Sequence, residues 1–144
     1  MINVNDFDQL CQDIVDTIDI NGYVLCSTEE QGMKKLKDKA GIQLVAVYPN
    51  YSFDGQIDTY KDNHEMLFFT VIRQSEGASD TVELQQYYDT QQAMIKLKKY
   101  LFGEEDSPNN FCRKFPNIDV SSVMIDPEYN IFGGYIGWSI KLVC

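Results

Sequence analysis

The chain has 144 residues, 44% of them hydrophobic and 12% aromatic, which suits one packed domain over residues 1–144 and excludes a disordered chain. The formal net charge is −10, and because phosphate binding needs clustered lysine and arginine, this charge argues against specific nucleic-acid binding. The four cysteines lack metal-ligand spacing and no apolar run reaches the length of a membrane span. We therefore expect a soluble protein with reduced thiols, made in a reducing cytoplasm and without a metal or cofactor.

The first element is predicted to be an amphipathic helix. Apolar residues recur at helical spacing over residues 7–18, and Asn5 or Asp6 is the predicted N-cap. Seven acidic residues and no basic residue lie within residues 1–32, so the outer side of this helix is acidic. Asp16 and Asp19 lie near its end, where the helix dipole disfavours negative charge. We therefore expect them to meet a positive partner.

Residues 23–41 leave the second element open. Tyr23 begins a short apolar run that is typical of a strand. Ser27, with Glu30 three residues later, resembles the capping box of a short helix that Gly41 would close. Whether this helix forms is not decided by the pattern.

Two strands are predicted next, over residues 42–48 and 65–73. Pro49 stops the first strand, and the polar stretch of residues 50–63 is predicted to be a loop with a turn at Asp54-Gly55. The second strand has apolar residues on both sides, which predicts a central strand covered on both faces of its own sheet or a strand covered by a neighbouring subunit.

The longest helix is predicted over residues 81–102. Asp80 and Glu83 provide its start signal and Gly103 its stop signal. The predicted inner stripe contains Leu84, Tyr87, Tyr88, Gln91, Met94, Ile95, Lys98, Leu101 and Phe102.

Two further strands end the chain. The first runs from Ile118 to Pro127, and a change of phase at Ser121-Ser122 predicts a bulge. The second alternates strictly between apolar and mixed residues as far as Cys144. The element order predicts an α+β fold, a mainly antiparallel sheet of about four or five strands with two or three helices packed on it.

Two residues have neighbours that suggest catalysis, but each lacks the groups that catalysis requires. His64 lies next to acidic residues without a nucleophile, which favours an exposed loop histidine. Cys112 lies beside Arg113 and Lys114, a setting that lowers a thiol pKa, yet no Cys/His pair is evident and an inert thiol is favoured. We therefore predict no catalytic residues and no enzyme.

The carboxylates Asp54, Asp58 and Asp62 are spaced like calcium ligands. An EF-hand loop would also need oxygen ligands at the third and seventh positions and a glycine at the sixth, and these are missing. Gly133-Gly134 precedes a strand and not a helix, so a turn is favoured over a phosphate loop. We expect neither a metal site nor a cofactor site.

The order of the predicted elements and three segments near the end of the sequence resemble those of a known family. The segments are Ile118-Asp119-Val120-Ser121-Ser122, Ile125-Asp126-Pro127-Glu128-Tyr129-Asn130 and Gly137-Trp138-Ser139-Ile140. In these features the chain resembles the neck and tail-completion proteins of tailed phages, tail-terminator proteins especially, and is similar to proteins of Bacteroidetes phages and prophages.

The resemblance implies a tail-terminator-like fold and a non-enzymatic virion protein that is assembled in the host bacterial cytoplasm. Such a protein would be a homo-oligomeric ring at the neck or tail end, the tail terminator or head-tail connector position, where it joins or caps the tail. Its partners would be tail-tube, connector or portal-proximal proteins, without a membrane contact. DNA would pass through an acidic lumen without being bound specifically, since like charges repel.

A ring requires contact between two different faces of neighbouring copies. Three aromatic residues in the predicted polar loop, Tyr51, Phe53 and Tyr60, suggest an interface arm, with packing on the same domain as the alternative. Asp16 and Asp19 are the predicted charged contacts. A different class remains open: a small acidic binding module, such as an immunity or anti-restriction protein that blocks a basic enzyme.

Overall fold

The structure is a computed structural model that describes residues 2–58, 61–103 and 119–143, with the backbone alone described for residues 52–54, 61, 62 and 119. Within these ranges it contains three helices and five strands. In chain order they are α1 (Val4–Ile18), β1 (Gly22–Cys26), α2 (Glu29–Leu36), β2 (Gln43–Asp54), β3 (Lys61–Arg73), α3 (Asp80–Phe102), β4 (Asp119–Ile131) and β5 (Tyr135–Val143).

The five strands form one sheet with the order β1-β2-β3-β5-β4. Only the β1–β2 pair is parallel, and the other three pairs are antiparallel. The predicted α+β fold, with a mainly antiparallel sheet and two or three helices, is therefore confirmed.

Buried side chains form two clusters, one on each face of the sheet. α1 and α3 cover the first, whereas Leu36 of α2 and Phe132 of the β4–β5 turn cover the second. β3 lies at the centre of the sheet and contributes Phe68 to the first cluster and Phe69 to the second, because alternate residues of a strand point to opposite faces. The prediction of a central strand covered on both faces is confirmed.

The prediction that residues 50–63 form a loop is wrong for most of that stretch. β2 continues through Pro49 as far as Asp54, and β3 already begins at Lys61. The register shifts between Val47 and Asn50, so the strand bulges at Pro49, which cannot donate a ladder hydrogen bond. The two strands form a long hairpin whose turn includes Gly55.

His64 is also placed differently from the prediction. It lies within β3, opposite Tyr51 in the ladder, and is 9% exposed. It is a buried sheet residue and not an exposed loop histidine.

The ends of the first two helices differ from the predicted ones. α1 is capped by Asn3, whose side chain accepts from the Asn5 backbone N–H at 2.8 Å, so the predicted caps at Asn5 and Asp6 are wrong. α2 does form, with Thr28 and not Ser27 as its N-cap. It ends at Leu36, well before Gly41.

α3 has nearly the predicted length, but its N-cap is Ser79 and most of its predicted inner stripe is wrong. Leu84 is 70% exposed, Tyr88 54% and Ile95 41%. The helix carries apolar side chains on more than one side, so its pattern does not identify the side that meets the sheet. Its buried residues are Gln86, Thr90, Ala93, Met94, Leu97, Tyr100 and Leu101.

The last two strands follow the prediction with two exceptions. The ladder register shifts between Asp119 and Met124, so pairing is irregular across the predicted bulge at Ser121-Ser122. β4 does not end at Pro127 but continues to Ile131. Pro127 is tolerated because, in the described part of the chain, β4 is an edge strand that pairs with β5 alone. β5 forms as predicted as far as Val143, but its burial does not alternate, because Tyr135 and Ser139 of the second face are buried as well as Ile136 and Ile140. Cys144 lies outside the described residues.

Candidate functional site

The outer side of α1 is an acidic surface, formed by the exposed side chains of Asp6, Asp8, Asp16 and Asp19. Gln12 donates from Nε2 to Oδ1 of Asp16 at 3.0 Å. The contact described for Asp16 is therefore to a neutral amide, and the positive partner of Asp16 and Asp19 stays a prediction. Asp19 also has a backbone role, because it ends α1 with a φ of 57°, a conformation that Asp adopts more readily than most residues.

A hydrogen bond joins the acidic surface to β1. The hydroxyl of Tyr23 donates to Oδ1 of Asp8 at 2.7 Å. Burial, together with this hydrogen bond and the nearby negative charge of Asp8, raises the pKa of Tyr23 to about 12. The phenol therefore remains protonated and keeps donating to Asp8 throughout the neutral range.

Two lysines cover the edge of β1. Nζ of Lys35 donates to the carbonyl of Leu25, and Nζ of Lys39 donates to the carbonyl of Tyr23 at 3.2 Å. Free carbonyls along an edge strand are the groups that another chain would pair with, and lysine is a common means of blocking them. The sequence shows that the two lysines are four residues apart, but it does not show which strand edge they reach.

These lysines belong to a basic surface that consists of Lys34, Lys35, Lys37 and Lys39, at the end of α2 and in the turn after it. α1 packs on the first cluster, and α2 packs on the second. The two helices therefore lie on opposite faces of the sheet, and both contact β1. The acidic and basic surfaces adjoin at the β1 edge, where Asp8 lines the same cleft as Lys35 and Lys39.

The predicted interface arm is described only in part. Tyr51 is half-buried, its hydroxyl donates to the backbone carbonyl of Ile2 at 3.1 Å, and its ring meets the His64 ring edge-on at 5.0 Å. Tyr51 thus packs on its own domain, the alternative left open by the sequence. The side chain of Phe53 and the whole of Tyr60 lie outside the described residues, so their role at an interface stays a prediction.

The thiols of the described part are buried and poorly suited to chemistry. Cys11 and Cys26 are both buried and not in a disulfide. Burial raises the pKa of each thiol, and for Cys11 the charge of Asp8 adds to this effect, so little thiolate forms at neutral pH. Cys112, with its basic neighbours, lies outside the described residues.

The carboxylates Asp54, Asp58 and Asp62, which the sequence spaces like calcium ligands, are described only in part. Asp58 is exposed in the hairpin turn, whereas the side chains of Asp54 and Asp62 are not described. Among residues 2–58, 61–103 and 119–143, no group of three or more histidine, cysteine, aspartate or glutamate side chains is placed to hold a metal ion.

Two of the open clefts on the described surface combine cationic with anionic side chains. One, of about 480 Å³, is lined by Arg73, Glu83 and the Gly133-Gly134 turn. The other, of about 470 Å³, lies beside the acidic surface and is lined by Asp8 and Lys35 among others. No described histidine or cysteine lines either cleft.

None of the three described helices is both long enough and apolar enough to cross a membrane. No protein-family model, curated protein or solved structure that was compared with the chain matches it.

Proposed function

We propose that this chain is a non-enzymatic structural protein of a tailed-phage virion, a subunit that forms a ring at the neck or tail end and joins or caps the tail. The observation that carries the proposal is that Asp16 and Asp19 belong to the helix on one face of the sheet and Lys34 and Lys37 to the helix on the other, although Lys34 already pairs with Glu30 of its own helix at 3.2 Å. A ring is built from contacts in which one surface of each copy meets a different surface of the next copy. The acidic and basic surfaces provide such a complementary pair.

In this assembly the α1 side of one copy faces the α2 side of its neighbour. Asp16 and Asp19 would approach Lys34 and Lys37, all four of which are exposed. Exposed ion pairs contribute only about 0–1 kcal/mol each, so their main effect is to set orientation and speed of association. The contact should accordingly weaken with salt, because charges are screened beyond about 10 Å at 0.1 M ionic strength.

The first experiment is to purify the chain and measure its mass by light scattering after size-exclusion chromatography, with negative-stain electron microscopy of the same fraction. Closed rings of one stoichiometry are expected at low salt. A variant with Asp16→Lys and Asp19→Asn should lose them, and adding Lys34→Glu and Lys37→Glu should restore assembly. Asn is chosen at position 19 because it tolerates the left-handed conformation found there.

A matched control makes the same change of charge elsewhere. Asp126→Lys with Glu76→Gln alters two exposed residues outside both the acidic and the basic surface and should leave the rings intact. If the wild-type chain is instead a monomer or dimer that binds one basic enzyme stoichiometrically, the ring proposal fails and the acidic inhibitor is favoured. Neighbouring genes distinguish the two proposals as well. Genes for portal, capsid or tail proteins next to this gene would support the virion protein, whereas toxin genes there would refute it.

A further inference from the structure

The outer side of α3 carries a second apolar stripe that the described part of the fold leaves exposed or half-exposed. Six residues follow each other at spacings of four, three, four, three and four positions and are exposed or half-exposed. We call this stripe the outer seam; it contains Leu84, Tyr88, Gln91, Ile95, Lys98 and Phe102.

The outer seam points away from the sheet. The buried residues Thr90, Ala93 and Leu97 each come two positions after a seam residue, and two positions correspond to about 200° around a helix. The side of α3 that meets the sheet and the side that carries the seam are therefore nearly opposite. Leu84 and Tyr88 are more than half exposed although both are large and apolar.

The spacing of the seam is that of the heptad positions through which two helices pack together. A helix with apolar residues on both sides is usually covered on both sides. Gln91 and Lys98 are the polar members, and single polar residues in such a seam select register and orientation at some cost in stability. Nζ of Lys98 lies 6.0 Å from the Phe102 ring centre, so its chain stem covers part of the seam's C-terminal end.

The charges of α3 indicate which helix fits the outer seam. Every acidic residue of α3 lies in its N-terminal half and every basic residue in its C-terminal half. A second copy of α3 in antiparallel orientation would bring acidic half against basic half at both ends, whereas a parallel copy would bring like charges together. Antiparallel helix dipoles are complementary as well. The residues concerned are Asp80, Glu83, Asp89, Lys96, Lys98 and Lys99.

We propose that the outer seam binds the outer seam of a second copy of this chain, with the two α3 helices antiparallel about a two-fold axis near residue 93. This register places Leu84 level with the partner's Phe102, and Gln91 level with the partner's Ile95. A contact of this kind is closed by its own symmetry and differs from the head-to-tail contact of a ring. It therefore does not rest on the proposed function, and it would pair free subunits or subunits of two stacked rings.

The expected dimer is reversible. A helix of 23 residues is about 34 Å long at 1.5 Å per residue, and one helix pair falls at the small end of specific interfaces. Sedimentation equilibrium should therefore show a dimer whose population rises with concentration. Tyr88→Glu with Ile95→Glu should abolish it, while Val120→Glu with Met124→Glu, at apolar residues of β4 that are similarly exposed, should not.

Self-complementary charge is tested by two variants. Lys96→Glu, Lys98→Glu and Lys99→Glu make α3 acidic throughout, and Asp80→Lys with Asp89→Lys make it more basic at its N-terminal half. Each variant alone should be at least tenfold weaker in self-association than the wild type, and an equimolar mixture should dimerise again. Far-UV circular dichroism must show that both variants are folded.

Orientation is tested with spin labels on Cys112→Ser, Cys144→Ser protein, in which Cys11 and Cys26 are buried. In the antiparallel dimer, labels at Gln92→Cys are about 3 Å apart along the helix axis and labels at Thr81→Cys about 36 Å apart. Short distances at both positions would indicate a parallel pair and overturn the proposal.

Other results would overturn it as well. A chain that stays monomeric at millimolar concentration while Tyr88 is protected from solvent would assign the outer seam to contacts within the same chain. If the wild type forms rings but no concentration-dependent dimer, and the Tyr88→Glu, Ile95→Glu variant forms the same rings, the proposed function is supported and this contact is refuted. A wild-type chain that forms a concentration-dependent dimer but no rings at any salt concentration would support this contact and refute the proposed function.

Discussion

Replacing Gly137 by alanine should destabilise the domain strongly, because β5 approaches β3 too closely there for a side chain. Gly137 has a φ of 156° and lies opposite Val71 in the β3–β5 ladder. A Cβ atom on Gly137 would be 2.0 Å from the carbonyl oxygen of Thr70, where ordinary contacts are 3.4–4 Å. The obstacle is backbone, so it cannot rotate out of the way, and β5 must move by more than about 1 Å.

The size of the effect follows from what such a movement breaks. Displacing β5 weakens two or three ladder hydrogen bonds at about 1 kcal/mol each, and the unfavourable φ adds about 1–2 kcal/mol. The free energy of unfolding should therefore fall by about 3–5 kcal/mol, a large part of the 5–15 kcal/mol that is typical of a domain. With a urea m-value of about 2 kcal/mol/M, the midpoint falls by about 2 M.

Urea unfolding followed by the fluorescence of Trp138, the single tryptophan, and by circular dichroism measures this change. The matched control is Gly77→Ala, since Gly77 has a φ of 62° but a Cβ there meets nothing within 4 Å. Gly77→Ala should cost only about 1 kcal/mol, from the backbone conformation alone. If the midpoint of Gly137→Ala is no lower than that of Gly77→Ala, the reasoning about close approach is refuted.

Three further predictions concern the core, the thiols and the Tyr23–Asp8 contact. Deleting residues 137–144 removes Trp138, Ile140 and Leu142, each worth about 1.5–3 kcal/mol, and should leave an unfolded chain by circular dichroism; a cooperative unfolding transition would contradict this. In a protein with the changes Cys112→Ser and Cys144→Ser, the thiols of Cys11 and Cys26 should react with a thiol reagent at pH 8 only after denaturant is added, because both are buried. Rapid labelling of the native protein would contradict this. Because the pKa of Tyr23 is about 12 in the fold against an ordinary value of 10.0, its contribution to stability is constant below pH 10 and is lost as the pH rises from 10 to about 12. Tyr23→Phe should therefore show a flatter decline in stability over that range, and identical curves for the two proteins would rule out this linkage.

The sequence was sufficient for the elements whose pattern has a single period. β5 alternates without interruption, and the apolar spacing of α1 has one inner side, so both were predicted within a few residues. The helix caps were predicted less well, because another residue of equal capping ability lies within two positions of each observed cap. The observed caps are Asn3, Thr28 and Ser79.

α3 shows why the candidate surfaces could not be predicted in the same way. Its outer seam has the regular spacing of a core-facing stripe, whereas its buried side includes Gln86 and Thr90. Thr90 is accommodated because its carbonyl accepts from the hydroxyl of Thr70 at 3.0 Å, and its own hydroxyl bonds to the Gln86 carbonyl at 2.8 Å. The hydrogen-bonded polar groups of Thr90 are compatible with burial, but only the tertiary contacts reveal them.

The hairpin of β2 and β3 was missed for a related reason. Polar composition and Pro49 were taken as signs of a loop, yet a strand can be polar where one face is open to solvent, and a bulge accommodates the proline. His64 became a buried residue through this pairing, against the ring of Tyr51. The strand register that pairs His64 with Tyr51 cannot be read from a single sequence.

Both proposals place assembly on helices, and the sheet itself gives the reason. Of the described strands, β1 and β4 form the two edges. Lys35 and Lys39 occupy carbonyls of β1, while Pro127 and two register shifts interrupt β4, and both are devices that prevent pairing with another sheet. Both proposed contacts therefore use the covered faces of the sheet, where α1, α2 and α3 present charge and apolar side chains, and neither contact extends the sheet. A backbone-paired sheet running between copies would contradict this argument, and variants of Lys35 and Lys39 that lack the amine should be the first to form one.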